Sequence, residues 1–391
     1  MENLSEKEIN NEPENSSMPH EEPKTNAPAL EDNDEKTPIS DHLKDDVMAR
    51  VEDSEAPKQK QKKKRRSIII LVLLVILIAI ILNAFFTIRD LFESIYTPVD
   101  TIDLRDVEEP VALGNDPFSL LIIGNDRYGD GRLRERYHPG EGYLEVYDDE
   151  FPGSADVVML VTVNPTENTT YVLSIPRDVR LNIFGYGVED RLTSAYFWGG
   201  SSVLINTIQQ FLNIPIDFYI ELEKLGFMSL IDAIGGISLY NDHLEFGLGG
   251  YNFPLGELEL TGSQAMNYVR MRSDDPNDDL GRQLRQRDVI GALVNELISP
   301  TAITHHQDIF AIVATYVTTD LRFSEMVSVA TDYNVALSNI VNLYLTGSYR
   351  SVDGLRYIVI SASERNQISN RLREHLELDA LELEEELDDV D

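Results

Sequence analysis

Residues 67–86, SIIILVLLVILIAIILNAFF, contain no charged side chain. Twenty helical residues at 1.5 Å each reach about 30 Å, the thickness of a bilayer's hydrocarbon core. The segment just before it, KQKQKKKRR (residues 58–66), carries seven basic residues. A buried core helix has no use for such a flank, whereas a membrane anchor does, because basic flanks stay cytoplasmic. The apolar run exceeds the ~7–15 residues of a signal peptide, shows no small-residue cleavage site and lies behind a long tail. An uncleaved single-pass transmembrane helix is therefore expected, with the N-terminus cytoplasmic and everything after Phe86 on the far side of the cell membrane.

Charge divides along the same line. Residues 1–57 hold 17 acidic and 5 basic residues with little periodicity, a composition that reads as disordered. Residues 87–391 hold 51 acidic and 21 basic residues, and of those 21 all are arginine except Lys224. Arginine forks bind carboxylates and phosphates, so clustered arginine in an acidic, lysine-poor domain points to specific anion recognition. It argues against nucleic acid, which needs a broad positive face. With no cysteine, disulfides and thiolate chemistry are excluded.

Past a stalk at 87–116, FSLLIIGND (118–126), ADVVMLVTVNP (155–165) and TTYVLSIPRDVRL (169–181) read as buried strands. The Gly- and Tyr-rich stretch between the first two reads as a long surface loop. Helical spacing marks 201–214, a helix closed by Gly235 and Gly236, 263–269, 280–298 and two stretches between 307 and 345. Short strands are expected at 218–222, 237–241 and 357–361. Strands mixed with helices without strict alternation predict an α/β (α+β) fold: a single extracytoplasmic domain with a central mixed β-sheet flanked by helices. The tail beyond 375 is acidic, and Glu382–Glu386 reads as solvated.

The segment YVRMRSDDPNDDLGRQLRQRDVI (268–290) places five arginines within 18 residues. An extended backbone would point Arg270 and Arg272 the same way. Asp279 is placed to cap a helix starting near Leu280, and Arg282 and Gln286 share one face of that helix. A cation in a first turn is disfavoured by the helix dipole, and a bound phosphate would reverse that. A surface helix laced with Arg–Asp pairs fits the spacing equally well. Arg177 follows a buried strand, where α/β sheets place ligands. Asp126 and Asp156 sit at the end and the start of two strands. Together beside arginines they would hold Mg²⁺ or Mn²⁺, which bind carboxylate and phosphate oxygens jointly. His305 and His306 diverge on a helix, His138 and His243 are isolated, and no Gly-x-Ser-x-Gly elbow occurs. Tyr196, Phe197 and Trp198 read as packing residues.

In order, IIGND, SADVVMLVTVNP, VLSIPRD, DRLTSAYFWGG, FYIELEKLGFMSLIDAIGGI and YVRMRSDDPNDDLGRQLRQRDVI resemble the LytR–CpsA–Psr family. The resemblance implies a catalytic domain at 117–375, between the stalk and an acidic tail at 376–391. It implies a metal-dependent phosphotransferase that moves a glycopolymer from a polyprenyl-pyrophosphate carrier to peptidoglycan or another envelope glycan. Carried over by motif, Asp126 and Asp156 are the metal carboxylates for Mg²⁺ or Mn²⁺. Arg177, Arg270, Arg272, Arg282 and Gln286 contact the pyrophosphate. Arg177, Asp279 and Arg282 are the catalytic residues, with Asp279 orienting the arginines or assisting the acceptor hydroxyl. Rival readings are a polyprenyl-pyrophosphate hydrolase and a non-catalytic lipid-binding protein. One departure stands out: the family's Arg-Ser-Asp is Ser154-Ala155-Asp156 here, and Arg127, Arg132, Arg134 or Arg136 of the preceding loop is the expected substitute.

Overall fold

The computed structural model describes residues 41–381, apart from 103, 106–110, 128–132, 139–141, 148–152, 273–274, 278, 298, 300–301, 303 and 353, and gives the backbone alone for 41–67, 133–138 and 142–147. Two compact units divide the chain, residues 1–78 and 79–391. Helix α1 (Asp41–Ser94) contains an apolar span, Ile68–Ser94, long and apolar enough to cross a membrane, and the interior of the protein buries none of it. Exposed leucines and isoleucines on every side of a helix suit lipid rather than water.

The second unit is organised by a six-stranded sheet of β1 (Phe118–Asn125), β2 (Ala155–Asn164), β3 (Thr169–Ser174), β4 (Phe218–Glu223), β5 (Val317–Thr319) and β6 (Ile340–Tyr344). Their order is β5-β4-β1-β2-β3-β6. β1 pairs antiparallel with β2 and parallel with β4, and β6 pairs parallel with β3, so the sheet is mixed as expected. Around it lie α2 (Leu192–Leu212), α3 (Lys224–Ala233), α4 (Gly262–Tyr268), α5 (Asp279–Leu297), α6 (His306–Tyr316), α7 (Phe323–Asp332), α8 (Asn334–Leu337) and α9 (Ala362–His375). Glycine sets two of these boundaries. α2 is kinked at Gly199–Gly200, where Gly200 has φ 63°, and Gly236 beyond α3 has φ 109° with the Leu260 carbonyl 3.2 Å from where a Cβ would stand.

Alternation along β1 assigns the two faces. Leu121 and Ile123 are fully buried in a core with Leu160, Leu173, Ile205, Ile208 and Leu372 from β2, β3, α2 and α9. Phe118, Leu120 and Ile122 point the other way. A small cluster there joins Phe118 to Tyr333 and Ala336. A separate core links α3, α4 and α5 through Leu230, Tyr268, Val289 and Leu293.

Several expectations are corrected. The two helical stretches between 307 and 345 are α6 and α7, and IVNLY (340–344), not among the expected strands, forms the edge strand β6 through its β-branched residues. The loop after β1 contains a hairpin, Leu133–His138 with Gly142–Tyr147. The strand through SIPRD stops at Ser174, before Pro176, and Arg180–Ile183 starts a separate hairpin. The strand near 357 pairs with Ser348–Val352 outside the central sheet. The 87–116 segment is helical through Ser94 and is then bound to the domain. Thr97 N–H donates to Thr319 O at 2.7 Å, Thr319 N–H to Ile95 O at 3.1 Å, and Arg105 forks onto Asp217 at 2.6 and 2.8 Å.

Candidate functional site

A bulge places the first carboxylate. Along β1 and β2, Gly124 pairs with Val157 while the next residue, Asn125, pairs with Ala155, so Asp156 has no partner across the ladder. Such an extra residue re-aims its side chain, and Asp156 lines a cavity of about 830 Å³. Asp126 lines the same cavity; its Oδ1 accepts the Ser154 N–H at 2.6 Å, and its own N–H donates to Ser154 O at 3.1 Å. Gly124 allows this close pairing, since a Cβ there would lie 3.0 Å from the Val157 Cβ.

Arg177, Arg270, Arg272, Arg282 and Gln286 line the cavity too. Seven of the eight residues singled out in the sequence thus converge, from the turn after β1, β2, the turn after β3, the segment after α4, and α5. Arg177 forms an ion pair with Asp156. Burial pulls the Arg177 pKa down, but Asp156 and Asp178 outweigh it and the net shift is upward. Arg282 is 5% exposed and shifts the other way: burial lowers it most, Asp279 counters, and Arg177 and Arg272 lower it further. An arginine does not deprotonate in a protein; the downward direction reflects burial first, with the neighbouring cations adding to it. Arg270 makes no ion pair among the described residues. It follows a turn closed by its N–H to Asn267 O at 3.2 Å, not the extended segment expected.

Asp279 is the eighth and does not line the cavity. It is the first residue of α5, not its cap, and at 3% exposure its carboxylate takes Arg282 at 2.5 Å and Gln283 Nε2 at 2.9 Å. The other two arginines of the helix turn elsewhere. Arg285 is fully buried on Asp275 (2.5 Å) and Met271 O (2.7 Å), while Arg287 holds Ser174 Oγ, Leu343 O and the Tyr344 ring. Asp274 and Asp278 lie outside the described residues.

Two groups were missed. Asp178, inside the SIPRD motif itself, is shared by Arg272 (3.1 Å), Arg191 (3.7 Å) and Arg177 (3.9 Å). Behind the Asp126 turn, Asn125 Nδ2 donates to Glu221 Oε1 (2.6 Å) and meets the Tyr196 hydroxyl (3.1 Å), while Asn125 Oδ1 accepts the Arg127 N–H (2.9 Å). Tyr196 donates to the same Glu221 oxygen at 2.5 Å, and burial with that carboxylate raises its pKa far above the ordinary range. Three residues 25 to 96 positions apart thus fix one turn. Of the arginines expected to replace the one missing at 154, Arg127 does not line the cavity and opposes the burial-driven rise of Glu223. Arg132 and the side chains of Arg134 and Arg136 lie outside the described residues.

No group of three or more metal-ligating side chains occurs among the described residues. Asp126 and Asp156 supply two carboxylates, a donor set that suits Mg²⁺ or Mn²⁺ when phosphate oxygens and water complete the shell.

Along α5 the cavity lining changes character: Arg282 and Gln286 give way to Val289, Ile290, Leu293, Val294 and Leu297. Fifteen residues at 1.5 Å per residue make this gradient about 22 Å long. Ile220, Leu222 and Phe227 extend the apolar wall. The lining defines a domain whose cavity is cationic at one end and apolar along the rest. The chain belongs to the LytR_cpsA_psr family, whose model matches residues 95–374. It is 34% identical over 288 residues to the polyisoprenyl-teichoic acid–peptidoglycan teichoic acid transferase TagU of Enterococcus faecalis, covering 73% of this chain and 89% of that protein. To the TagU of Bacillus subtilis it is 35% identical over 285 residues, covering 73% and 86%. The crystal structure of B. subtilis TagU matches 68% of this chain and 100% of its own with a TM-score of 0.51 at 31% identity. A structure of TagT bound to LIIa-WTA has the same fold, at 22% identity, a TM-score of 0.56, and coverage of 72% and 100%.

Proposed function

We propose that this chain is a membrane-anchored phosphotransferase that moves a glycopolymer from a polyprenyl-pyrophosphate carrier to a cell-wall acceptor such as peptidoglycan. The observation that carries this reading is the lining along α5, cationic at one end and apolar over the rest, which matches a pyrophosphate on a polyprenyl chain. The relatives' names as polyisoprenyl-teichoic acid–peptidoglycan transferases support it.

In the reaction, an acceptor sugar hydroxyl attacks the phosphorus that bears the glycan. A new P–O bond forms, the bond to the bridging oxygen breaks, and polyprenyl phosphate leaves with the electron pair. Arg177, Arg270, Arg272, Arg282 and Gln286 hold the pyrophosphate oxygens, and charge building on the leaving phosphate meets cations already fixed in place. Asp279 serves as the orienting group for Arg282, since it is buried against that guanidinium. The proton of the attacking hydroxyl is released to water. Mg²⁺ or Mn²⁺ held by Asp126 and Asp156 would neutralise phosphate charge. The N-terminal tail is cytoplasmic and the domain faces the wall.

The test is transfer by the full chain in liposomes from a polyprenyl-pyrophosphate disaccharide to peptidoglycan oligomers. Acceptor-dependent product is expected. Equal turnover without acceptor would make the chain a hydrolase, and binding without turnover would make it a lipid-binding protein. EDTA should abolish transfer, and full activity in its presence removes the metal from the scheme. Protease added to intact cells should remove the domain and spare the tail; digestion of the tail alone would reverse the orientation.

A further inference from the structure

The apolar run of α1 ends at Phe86, and the first charged side chains beyond it are Arg89 and Asp90. For a membrane span, this is the level at which the helix leaves the hydrocarbon and meets the headgroups. The domain reaches back to that level through Phe323, at the start of α7. Its ring meets Phe85 edge-on and stacks on Phe92, with centroids 5.7 Å apart in both pairs. Phe85 and Phe92 are two helical turns apart, about 10 Å, so Phe323 lies across the boundary between hydrocarbon and headgroups. All three rings belong to the compact unit of residues 79–391. The Arg322 guanidinium, next to Phe323, lies over the Tyr96 ring, 5.6 Å from its centroid.

α7 is a helix without a buried residue. Val329 packs against the cluster of Phe118 and Tyr333. At 3.6 residues per turn, Phe323, Val327 and Ala330 form a stripe about 120° round the helix from Val329. Val327 is 45% exposed, and Ala330 is exposed as well. Ser324, Glu325, Ser328 and Asp332 make up the polar side. The helix thus has three sides: one on the domain, one polar, and one apolar stripe that starts on the anchor and continues beyond it.

We infer that the Phe323–Val327–Ala330 stripe docks into the bilayer leaflet that the anchor leaves, as a second, peripheral membrane contact that holds the domain down on the membrane surface. The inference rests on the reading of residues 67–86 as a membrane span and is independent of the reaction. Three apolar side chains would not hold a free protein on a membrane. On a chain already anchored beside them they act at high effective concentration, so a weak contact is enough. The polar side carries Glu325 and Asp332 in place of lysine or arginine, so the contact is apolar and does not depend on anionic lipid. For a domain proposed to take a lipid-borne donor from the same leaflet, the contact sets its height above the bilayer.

The chain has no cysteine, so a single fluorescent label can be placed without background. The full chain is reconstituted in phosphatidylcholine vesicles with the label on Val327→Cys, on Ala330→Cys or, on the opposite side of the same helix, on Asp332→Cys. Lipids carry a nitroxide quencher near the headgroup or near the terminal methyl, and iodide is the quencher in water. Interfacial helices sit roughly 5–10 Å into the boundary of headgroups and acyl chains. The labels at 327 and 330 should therefore be quenched several-fold more by the shallow nitroxide than by the deep one, and shielded from iodide. The label at 332 should show the reverse preference for iodide. Adding Val327→Glu to the chain labelled at 330 should reduce its lipid quenching to the level at 332; unchanged quenching would mean that the label itself drives insertion, and would overturn the docking. Equal quenching at 327 and 332 would overturn it as well, and so would quenching that appears only when phosphatidylglycerol is added. Shielding from iodide that grows with the protein-to-lipid ratio, without lipid quenching, would give the stripe to a second copy of the chain. Release of the chain from vesicles by alkaline carbonate is a different result, and it removes the membrane span together with the docking.

Discussion

The two faces of the central sheet are built from similar residues and finished differently. On one, Leu121, Ile123, Leu160 and Leu173 meet α2 and α9 with no exposed surface left. On the other, Ile122, Ile220 and Leu222 look into a cavity of about 830 Å³ under α3, α4 and α5. Protein interiors pack as densely as organic crystals, and each unfilled volume costs stability. One face therefore holds the fold together, and the other gives up packing to make room for a ligand. Truncations on the first should cost stability, and truncations on the second should cost binding.

The largest effect expected is on the packed face. Leu160→Ala should destabilise the domain by about 2–5 kcal/mol in urea unfolding; a loss well under 1 kcal/mol would mean that this face is not the stabilising one. Arg270→Gln should lower transfer by roughly 10²- to 10³-fold in a steady-state assay while the domain stays folded, because Arg270 lines the cavity and makes no ion pair among the described residues. Arg285→Ala, on the neighbouring helix α5, should instead unfold the domain, because it leaves Asp275 buried without its cation. Equal kinetic losses in two well-folded variants would turn the arginines into diffuse charge and erase the distinction.

Two buried groups give the pH dependence. On the packed face His375 sits between Thr162 Oγ1 (2.7 Å) and Thr169 Oγ1 (2.9 Å), and burial lowers its pKa to about 4. Its unfolded value is about 6.5, so the unfolded chain binds the extra proton first and stability is lost as pH falls from 6.5 towards 4, by about 3 kcal/mol. Asp320, which accepts the Tyr219 N–H at 2.7 Å, runs the opposite way: burial raises its pKa to about 6, so it costs stability above that pH and the cost is relieved on acidification. The intact protein should show a shallow stability profile between pH 4 and 6.5. Asp320→Asn should uncover the steep histidine component, and a flat profile in that variant would remove His375 from the account. The smallest effect is on the hollow face. Val294, half exposed on the cavity wall, should cost no more than about 0.5 kcal/mol of stability as Val294→Ala, with a few-fold loss in affinity for polyprenyl pyrophosphate; the reverse pattern would mean that the cavity is packing space.

What could be read from the sequence is what local spacing encodes. The uncharged span, the buried strands and the common face of Arg282 and Gln286 all follow from one period or another. The convergence of seven residues from five segments was reached through the family resemblance, since spacing alone left a surface helix equally open. Other features depend on register and on distant partners. The Asp156 bulge exists only once β1 and β2 pair, and Asn125 meets Glu221 across 96 residues. IVNLY is not among the expected strands because five residues are too few to show a period, and pairing with β3 makes it one. Lys224 stands in the sequence only as an exception to the arginine rule, and its place on the cavity wall depends on how α3 packs.

The stitching of Ile95–Thr97 onto the edge strand β5 has a mechanical meaning. Tyr96 and Thr319 form a parallel bridge, flanked by the two backbone hydrogen bonds between these segments, and the Tyr219 hydroxyl fastens Thr97 O at 2.6 Å. Ile95–Thr97 runs along β5 as a parallel partner, so tension in this segment loads several bonds together rather than one at a time. The same clasp covers the free side of β5. Force in the segment before Ile95 therefore enters the sheet at its rim, two strands away from β1 and the Asp126 turn that follows it.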